Sequence, residues 1–206
     1  MVEIILASKS KVREEILIKN NIPCLIKPSN IDEEPVKNSL LQDGASPELI
    51  SKNLAELKAN KISQKNTDKL VLGADSVIDL NGLLISKPEN REEALNILKN
   101  LNGKKHLLIS SVCISVNGSM IWNYTDKAQL TMKYLSDKEL EVYLASISDE
   151  NLYAYNVYQI EGMGRKLFSS IEGDEDTIMG LPVKKIKEYI ENCLLYTSDA
   201  ADDLLC

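Results

Sequence analysis

Histidine, tryptophan and phenylalanine each occur once in this chain of 206 residues, and arginine occurs only as Arg13, Arg91 and Arg165. The single histidine, His106, excludes multi-histidine metal sites such as HExxH and leaves a Ser-His-Asp triad one candidate base. Cys24, Cys113, Cys193 and Cys206 are scattered without a CxxC pair, so neither a zinc knuckle nor a disulfide framework is indicated. No apolar run approaches a membrane span, and Val2 to Ala7 is too short for a signal h-region. The chain therefore reads as cytoplasmic, with no membrane partner. A net charge of −7 provides no basic footprint for a nucleic acid polymer. It does not argue against a phosphate pocket, for which a few placed cations suffice. Hydrolytic chemistry in such a chain falls to carboxylates and an oxygen-ligated ion. Scarce arginine beside abundant lysine and asparagine reads as the codon bias of an AT-rich genome.

What is present is ordinary for a globular domain: 44% hydrophobic and 27% charged residues, enough for one domain or one domain folded as two lobes around a cleft. Val2 to Ala7 predicts a buried strand, and Val12, Ile16 and Leu17 mark a helix face after Ser8-Lys9-Ser10. Asn20-Asn21 ends that helix, and Cys24 to Ile26 predicts a short strand. Pro28 to Pro35 reads as a loop carrying Asp32, Glu33 and Glu34. Ser46-Pro47-Glu48 starts a long helix with Leu49, Ile50, Leu54, Leu57 and Ile62 as its apolar stripe. Leu70-Val71-Leu72 is a buried strand running into Gly73-Ala74-Asp75, followed by a hairpin turning at Asn81-Gly82. Asn90 with Glu93, and Ser136 with Glu139, predict capping boxes for helices through Leu101 and over Leu140 to Ile147. Between them, His106 to Val116 and Met120 to Tyr134 predict two long strands turning at Asn117-Gly118. A final helix is expected after Gly180-Leu181-Pro182, ending near Asn192. Alternating elements with two hairpins predict an α/β fold with a mixed twisted sheet.

The run from Cys193 to Asp202 back-translates to a common sequencing-library transposon adapter. The domain is accordingly expected to span 1–192, with 193–206 an adapter-derived tail on which no function is placed.

Candidate chemistry concentrates at strand ends, where α/β sheets place ligand sites. Ser8, Ser10 and Arg13 at a strand-to-helix junction make an anion cradle, or equally two N-cap serines and a surface arginine. Asp75 follows an apolar strand and a Gly-Ala step, which is expected to bring its carboxylate out at a sheet edge; its alternative is a turn cap. Lys58 reads as a helix-surface lysine, Lys87 as a turn residue before Pro88, and Gln159 as a polar residue in a strand-like run. His106 fits a strand start more readily than a base. Trp122 is open to base stacking or, more readily, to core or dimer-face packing.

Taken in order, these pieces resemble the Maf-like nucleoside triphosphate pyrophosphatases over residues 2 to 191. The resemblance is carried by Leu6-Ala7-Ser8-Lys9-Ser10 with Arg13, Asn30-Ile31-Asp32-Glu33, Leu57-Lys58-Ala59 and Leu72-Gly73-Ala74-Asp75-Ser76. It continues in Lys87-Pro88, Leu101-Asn102-Gly103 with His106, Tyr158-Gln159-Ile160-Glu161-Gly162 and Ile178-Met179-Gly180-Leu181-Pro182. Leu130-Thr131-Met132, Tyr143-Leu144 and Ile171-Glu172-Gly173-Asp174 look like the alphaproteobacterial branch. The resemblance implies a fold like that of the Maf and inosine triphosphate pyrophosphatases, two lobes around a cleft, usually as a homodimer. It implies hydrolysis of a nucleoside triphosphate to monophosphate and pyrophosphate with a divalent ion, Mg²⁺ or Mn²⁺. By position it makes Asp75 the proton acceptor and Ser8, Arg13, Glu33, Lys58, Lys87 and Gln159 the other polar residues of the active site. The residues' own chemistry adds Glu33 and Asp75 as oxygen ligands for the ion and Ser10, with Ser8, Arg13, Lys58, Lys87 and Gln159, as substrate-binding residues. The chain departs from the pattern at Val12, where the family often has a first arginine, and across Glu150 to Asn156. Two other classes compete with this reading: a nucleotide-binding regulator of septum formation without turnover, and a carboxylate-pair glycosidase using Glu33 and Asp75.

Overall fold

The computed structural model describes residues 3–149, 152, 157–160 and 162–199, with side chains of the last segment described to Cys193. Most of the departure at Glu150 to Asn156, and Glu161 of the Tyr-Gln motif, lie outside these residues.

Strands β1 (Ile4–Leu6) and β2 (Cys24–Ile26) flank helix α1 (Lys11–Lys19). Helices α2 (Glu33–Gln42) and α3 (Pro47–Ser63) precede the hairpin β3 (Val71–Leu80) and β4 (Leu83–Ile85). Helix α4 (Arg91–Leu101) leads to a second hairpin, β5 (Lys105–Val116) and β6 (Ser119–Met132), and then to α5 (Asp137–Ala145). A 3₁₀ turn (Met163–Leu167), β7 (Phe168–Glu172), α6 (Glu175–Ile178) and α7 (Val183–Asp199) complete the chain. The strands form one seven-stranded sheet, ordered β2-β1-β3-β5-β6-β7, with β4 also paired to β3. The β2-β1-β3 side is parallel and every other pairing antiparallel. This is the expected mixed α/β sheet.

Both hairpins turn on Asn-Gly with the asparagine in the left-handed region, φ 55° at Asn81 and 51° at Asn117, as type I′ geometry requires. The Ser136–Glu139 capping box is complete, each partner bonding the other's backbone N–H. The second box is half formed: Asn90 caps Glu93 N, but the Glu93 carboxylate accepts from Glu89 N instead of the N-cap.

Several expectations need correction. The Pro28 to Pro35 loop ends early, because α2 begins at Glu33. Pro35 is tolerated there because it falls in the first turn, where a backbone N–H has no intrahelical acceptor to lose. Helix α5 stops at Ala145, two residues short of Ile147, and α7 runs on to Asp199 past Asn192, with no glycine or proline from Val183 onward to interrupt it.

Two large hydrophobic clusters lie along the sheet. One gathers Ile4, Leu6, Leu17, Leu72 and Ile114 with Leu181 and Ile186; the other gathers Ile78, Leu98, Leu101, Leu130, Leu140 and Phe168. On the opposite face of the sheet α3 presses on β3 and β5. Its buried face keeps Ile50 and Leu54 of the predicted stripe but not Leu49 and Leu57, which are exposed. It is built from Ile50, Ser51, Leu54, Ala55, Lys58, Ala59 and Ser63. The small residues answer to Gly73: a Cβ built there would lie 2.1 Å from the Ala55 carbonyl oxygen and 2.7 Å from the Ala59 nitrogen. Helix and strand touch backbone to backbone at this point. Gly73→Ala should therefore cost about 3 kcal/mol by urea denaturation, at the upper end of the range for overpacking. Gly162→Ala, where the added Cβ meets nothing within 4 Å, should stay within about 0.5 kcal/mol of the parent.

Candidate active site

The sheet has a slot on one side of its central strand. On that side β1 pairs with β3 only at Val71 and Leu72, and β4 only at Ile78 to Leu80. Gly73 to Val77 therefore have no strand neighbour there, while β5 pairs with β3 along the other edge. Asp75 sits in the middle of this stretch. It is not at a sheet edge, as the sequence suggested: β3 continues five residues beyond it. It reaches a cavity because the neighbouring strand stops short.

That cavity has a volume of about 800 Å³, and Ser8, Ser10, Arg13, Glu33, Lys58, Asp75, Lys87 and Gln159 all line it. The residues following β1 form one wall, and Lys87, two residues past β4, belongs to another. Six lysines and arginines (Lys9, Lys11, Arg13, Lys37, Lys58, Lys87) face it against four acids (Asp32, Glu33, Glu34, Asp75). An acidic protein thus carries a locally cationic cavity, suited to a polyanionic ligand.

Alternate residues of β3 point to opposite faces of the sheet, and the two faces do different things. On the α3 face, Lys58 Nζ stands 2.7 Å from Asp75 Oδ1 and 2.8 Å from Glu33 Oε1. Lys58 and Asp75 are 7% and 6% exposed, so Lys58 is no surface lysine. Ser51 Oγ donates to the Asp75 carbonyl oxygen at 3.2 Å. Burial pushes the Asp75 carboxyl above its ordinary range, against the opposing pull of Lys58. Burial acts in the same sense on Glu33, but Lys58, with Lys37 and Lys87 behind it, outweighs that and holds Glu33 low. Asp75 Oδ2 is buried with no hydrogen-bond partner. Two carboxylates meeting one cation, one with an uncommitted oxygen, form a hard oxygen donor set of the kind Mg²⁺ or Mn²⁺ takes alongside substrate phosphates. Glu33 and Asp75 fit such an ion, although no cluster of three or more acids, histidines or cysteines occurs among the described residues.

On the other face, Arg13 is locked into the protein. Its guanidinium donates to Gly180 O (2.9 Å), Ser8 Oγ (3.3 Å), Ala74 O (3.0 Å) and Ser76 Oγ (3.0 Å). Ser76 Oγ lies 2.9 Å from Ser110 Oγ, which donates to Thr177 O at 2.7 Å. Burial lowers the Arg13 pKa from its ordinary value, but a guanidinium remains charged. Arg13 therefore presents its charge to the cavity with most of its five donors already spent. Ser10 is the N-cap of α1, accepting from Arg13 N at 3.4 Å, and Ser8 Oγ accepts from Ser10 N at 3.2 Å. Ser10 is thus a cap as well as a cavity residue, Ser8 supports it from the preceding turn, and Arg13 is not the surface arginine of the second alternative. Lys87 is lowered by desolvation and then by the nearby Arg13 charge.

Ser76, Gly180 and Lys37 also line this cavity, beyond the residues that the sequence pointed to. Ser76 and Gly180 stand within the Leu72–Ser76 and Ile178–Pro182 motifs. Lys37 was hidden with α2, which places it one turn from Glu33, 3.9 Å away. Trp122 does not line the cavity; it stacks between Tyr124 (centroids 6.2 Å apart) and Tyr189 (4.8 Å).

Residues 3–193 match the family described as Maf-like protein. The chain belongs to the Maf-like family. A nucleoside triphosphate pyrophosphatase of Pelagibacter ubique (strain HTCC1062) is 72% identical over 189 residues, 92% of this chain and 97% of that one. One of the same name from Ruegeria pomeroyi (strain ATCC 700808 / DSM 15171 / DSS-3) is 39% identical, covering 92% and 95%. A 7-methyl-GTP pyrophosphatase of Brucella abortus biovar 1 (strain 9-941) is 36% identical, covering 88% and 92%. Among solved structures, a nucleoside-triphosphatase / dITP/XTP pyrophosphatase from Mycobacterium abscessus aligns over 98% of this chain and 99% of its own, at 13% identity and a TM-score of 0.41. That likeness is too remote to bear on the site.

The lone histidine of this Maf-like chain lies away from the cavity. His106 is buried in the second hydrophobic cluster, its Nε2 2.8 Å from Tyr158 Oη, and it does not line the cavity. Burial brings its pKa down to about 4 from 6.5, so the folded chain keeps it neutral at pH 7. Between those values the unfolded chain binds a proton that the folded chain does not. The contribution is therefore complete above about pH 6.5 and is lost as pH falls towards 4, about 3 kcal/mol in all. Urea midpoints at pH 7 and pH 4.5 should diverge more in the parent than in His106→Gln, which removes this one titration.

Proposed function

We propose that the chain hydrolyses a nucleoside triphosphate between its α- and β-phosphates, releasing a nucleoside monophosphate and pyrophosphate. The observation that carries the reading is Asp75: a buried carboxylate with one uncommitted oxygen, set in the slot of a cationic cavity. Membership of the Maf-like family and the names of the relatives supply the reaction class. The chain is a hydrolase acting on a phosphoric anhydride.

Each group has a role consistent with its position. Asp75 Oδ2 orients a water towards the α-phosphorus and accepts its proton, and a pKa raised by burial makes this carboxylate a better base than an exposed one. Arg13, Lys87 and Lys58 set positive charge against the β- and γ-phosphates, where charge accumulates as pyrophosphate leaves. Ser8 and the backbone at the start of α1 add donors. Gln159, on the cavity wall, addresses the nucleoside end. Glu33 and Asp75 would hold Mg²⁺ or Mn²⁺, which when bound neutralises phosphate charge and acts as a Lewis acid. A binder without turnover has no need of a buried base beside its anion cavity. Release of monophosphate withdraws a nucleotide from the pool that polymerases use, so nucleotide-pool sanitation is the role this reaction suits. A cytoplasmic homodimer belongs to the same proposal and rests on the family pattern alone.

Asp75→Asn is nearly isosteric and removes the base. It should reduce pyrophosphate release to background with the circular dichroism spectrum unchanged; parent-like turnover would overturn the assignment. In ¹⁸O-labelled water the label should enter the nucleoside monophosphate, whereas nucleoside diphosphate and labelled inorganic phosphate as first products would mean attack at the γ-phosphorus. EDTA should stop the reaction, and Mg²⁺ or Mn²⁺ should restore it. Full activity in rigorously metal-free buffer would remove the ion from the mechanism.

A further inference from the structure

The two carboxylates that fit a divalent ion are already joined by a cation of the protein's own. Lys58 Nζ lies within hydrogen-bonding distance of one oxygen of each, 2.7 Å from Asp75 Oδ1 and 2.8 Å from Glu33 Oε1. We infer that Lys58 and the divalent ion compete for this carboxylate pair, so that the enzyme takes up its ion together with the nucleotide and not before it. The inference rests on the reading of Glu33 and Asp75 as the ion's ligands.

A hard cation must touch its ligand oxygens directly, at about 2.0–2.1 Å for Mg²⁺. An ammonium bonded to one oxygen from each ligand stands where the two ligands converge. Two cations sharing those oxygens in a buried site would repel strongly, because little water lies between them to screen the charge. An ion arriving alone therefore finds Asp75 Oδ2 uncommitted, Glu33 Oε2 in the field of Lys37 at 3.9 Å, and the other two oxygens in use. A triphosphate changes both sides of this balance. Its oxygens complete the ion's coordination shell, and its negative charge offers Lys58 a second partner across the same cavity.

The fold permits the exchange. Asp75 is fixed on the central strand, while Glu33 is the first residue of α2, a helix with no buried residue. Lys58 carries its charge on a flexible four-carbon stem. The carboxylate pair can part from the ammonium by motion of Lys58 or Glu33 alone, with β3 undisturbed.

The test is Mn²⁺ binding to the full chain, read by the electron paramagnetic resonance of free Mn²⁺, with no turnover involved. Without nucleotide, Lys58→Met should bind Mn²⁺ at least about tenfold more tightly than the parent, as expected for one unit charge removed from a few ångströms away. An α,β-methylene nucleoside triphosphate should strengthen Mn²⁺ binding in the parent by a larger factor than in Lys58→Met. Equal nucleotide-free affinity in the two proteins would overturn the inference. The ligand reading has its own control: adding Glu33→Gln or Asp75→Asn to Lys58→Met should abolish the gain. If Lys58→Met gains affinity and these double variants keep all of it, the ion sits elsewhere and the ligand reading falls with the inference. Circular dichroism verifies folding, and Lys58→Gln, closer in polarity to lysine, supplies the same comparison if Lys58→Met does not fold.

Discussion

The backbone contact between α3 and β3 at Gly73 positions the rest of the site. Because that glycine has no Cβ, the helix can sit against the strand at Ala55 and Ala59, and Lys58, on the same helical face, arrives beside Asp75 two residues further along the strand. A side chain at Gly73 would lift the helix and separate the ammonium from the carboxylate. The electrostatics of the cavity thus depend on a steric absence, and the buried Lys58–Asp75 pair would be hard to sustain otherwise, since unpaired charges in such a place are costly.

Arg13 does for the opposite face what Gly73 does for this one. Its four hydrogen bonds tie the loop after β1, the unpaired stretch of β3 and the Gly180 turn to a single planar group. Lysine could not substitute, because a point ammonium lacks the fork that reaches these acceptors together. The serine pair behind it, Ser76 and Ser110, continues the bonding to Thr177. A charge that faces the cavity is thereby fixed from inside the protein.

Much of this was readable in the sequence. Turns at Asn81-Gly82 and Asn117-Gly118, the caps at Ser46, Asn90 and Ser136, and the order of the elements follow from local rules, in which backbone preference and side-chain bonding agree. The eight residues singled out for chemistry do line one cavity. What stayed hidden depended on tertiary contact. Helix α2 was missed because Pro35 masks a helix start. The buried face of α3 was legible only in part: Ile50 and Leu54 face inward, but Leu49 and Leu57 do not, and a strand glycine brings alanines and serines to the contact instead. The setting of Asp75 was misjudged because no local signal announces that the neighbouring strand ends three residues short of it.

That early end has a consequence for how such a protein can change. The slot beside Gly73 to Val77 is bordered by the residues after β1 and after β4, which contribute no rungs to the sheet at that point. Sequence differences in these borders reshape what the cavity admits without costing a ladder hydrogen bond in β3. The shape of the cavity and the architecture are therefore separable here, and one unaltered sheet can carry cavities of different lining.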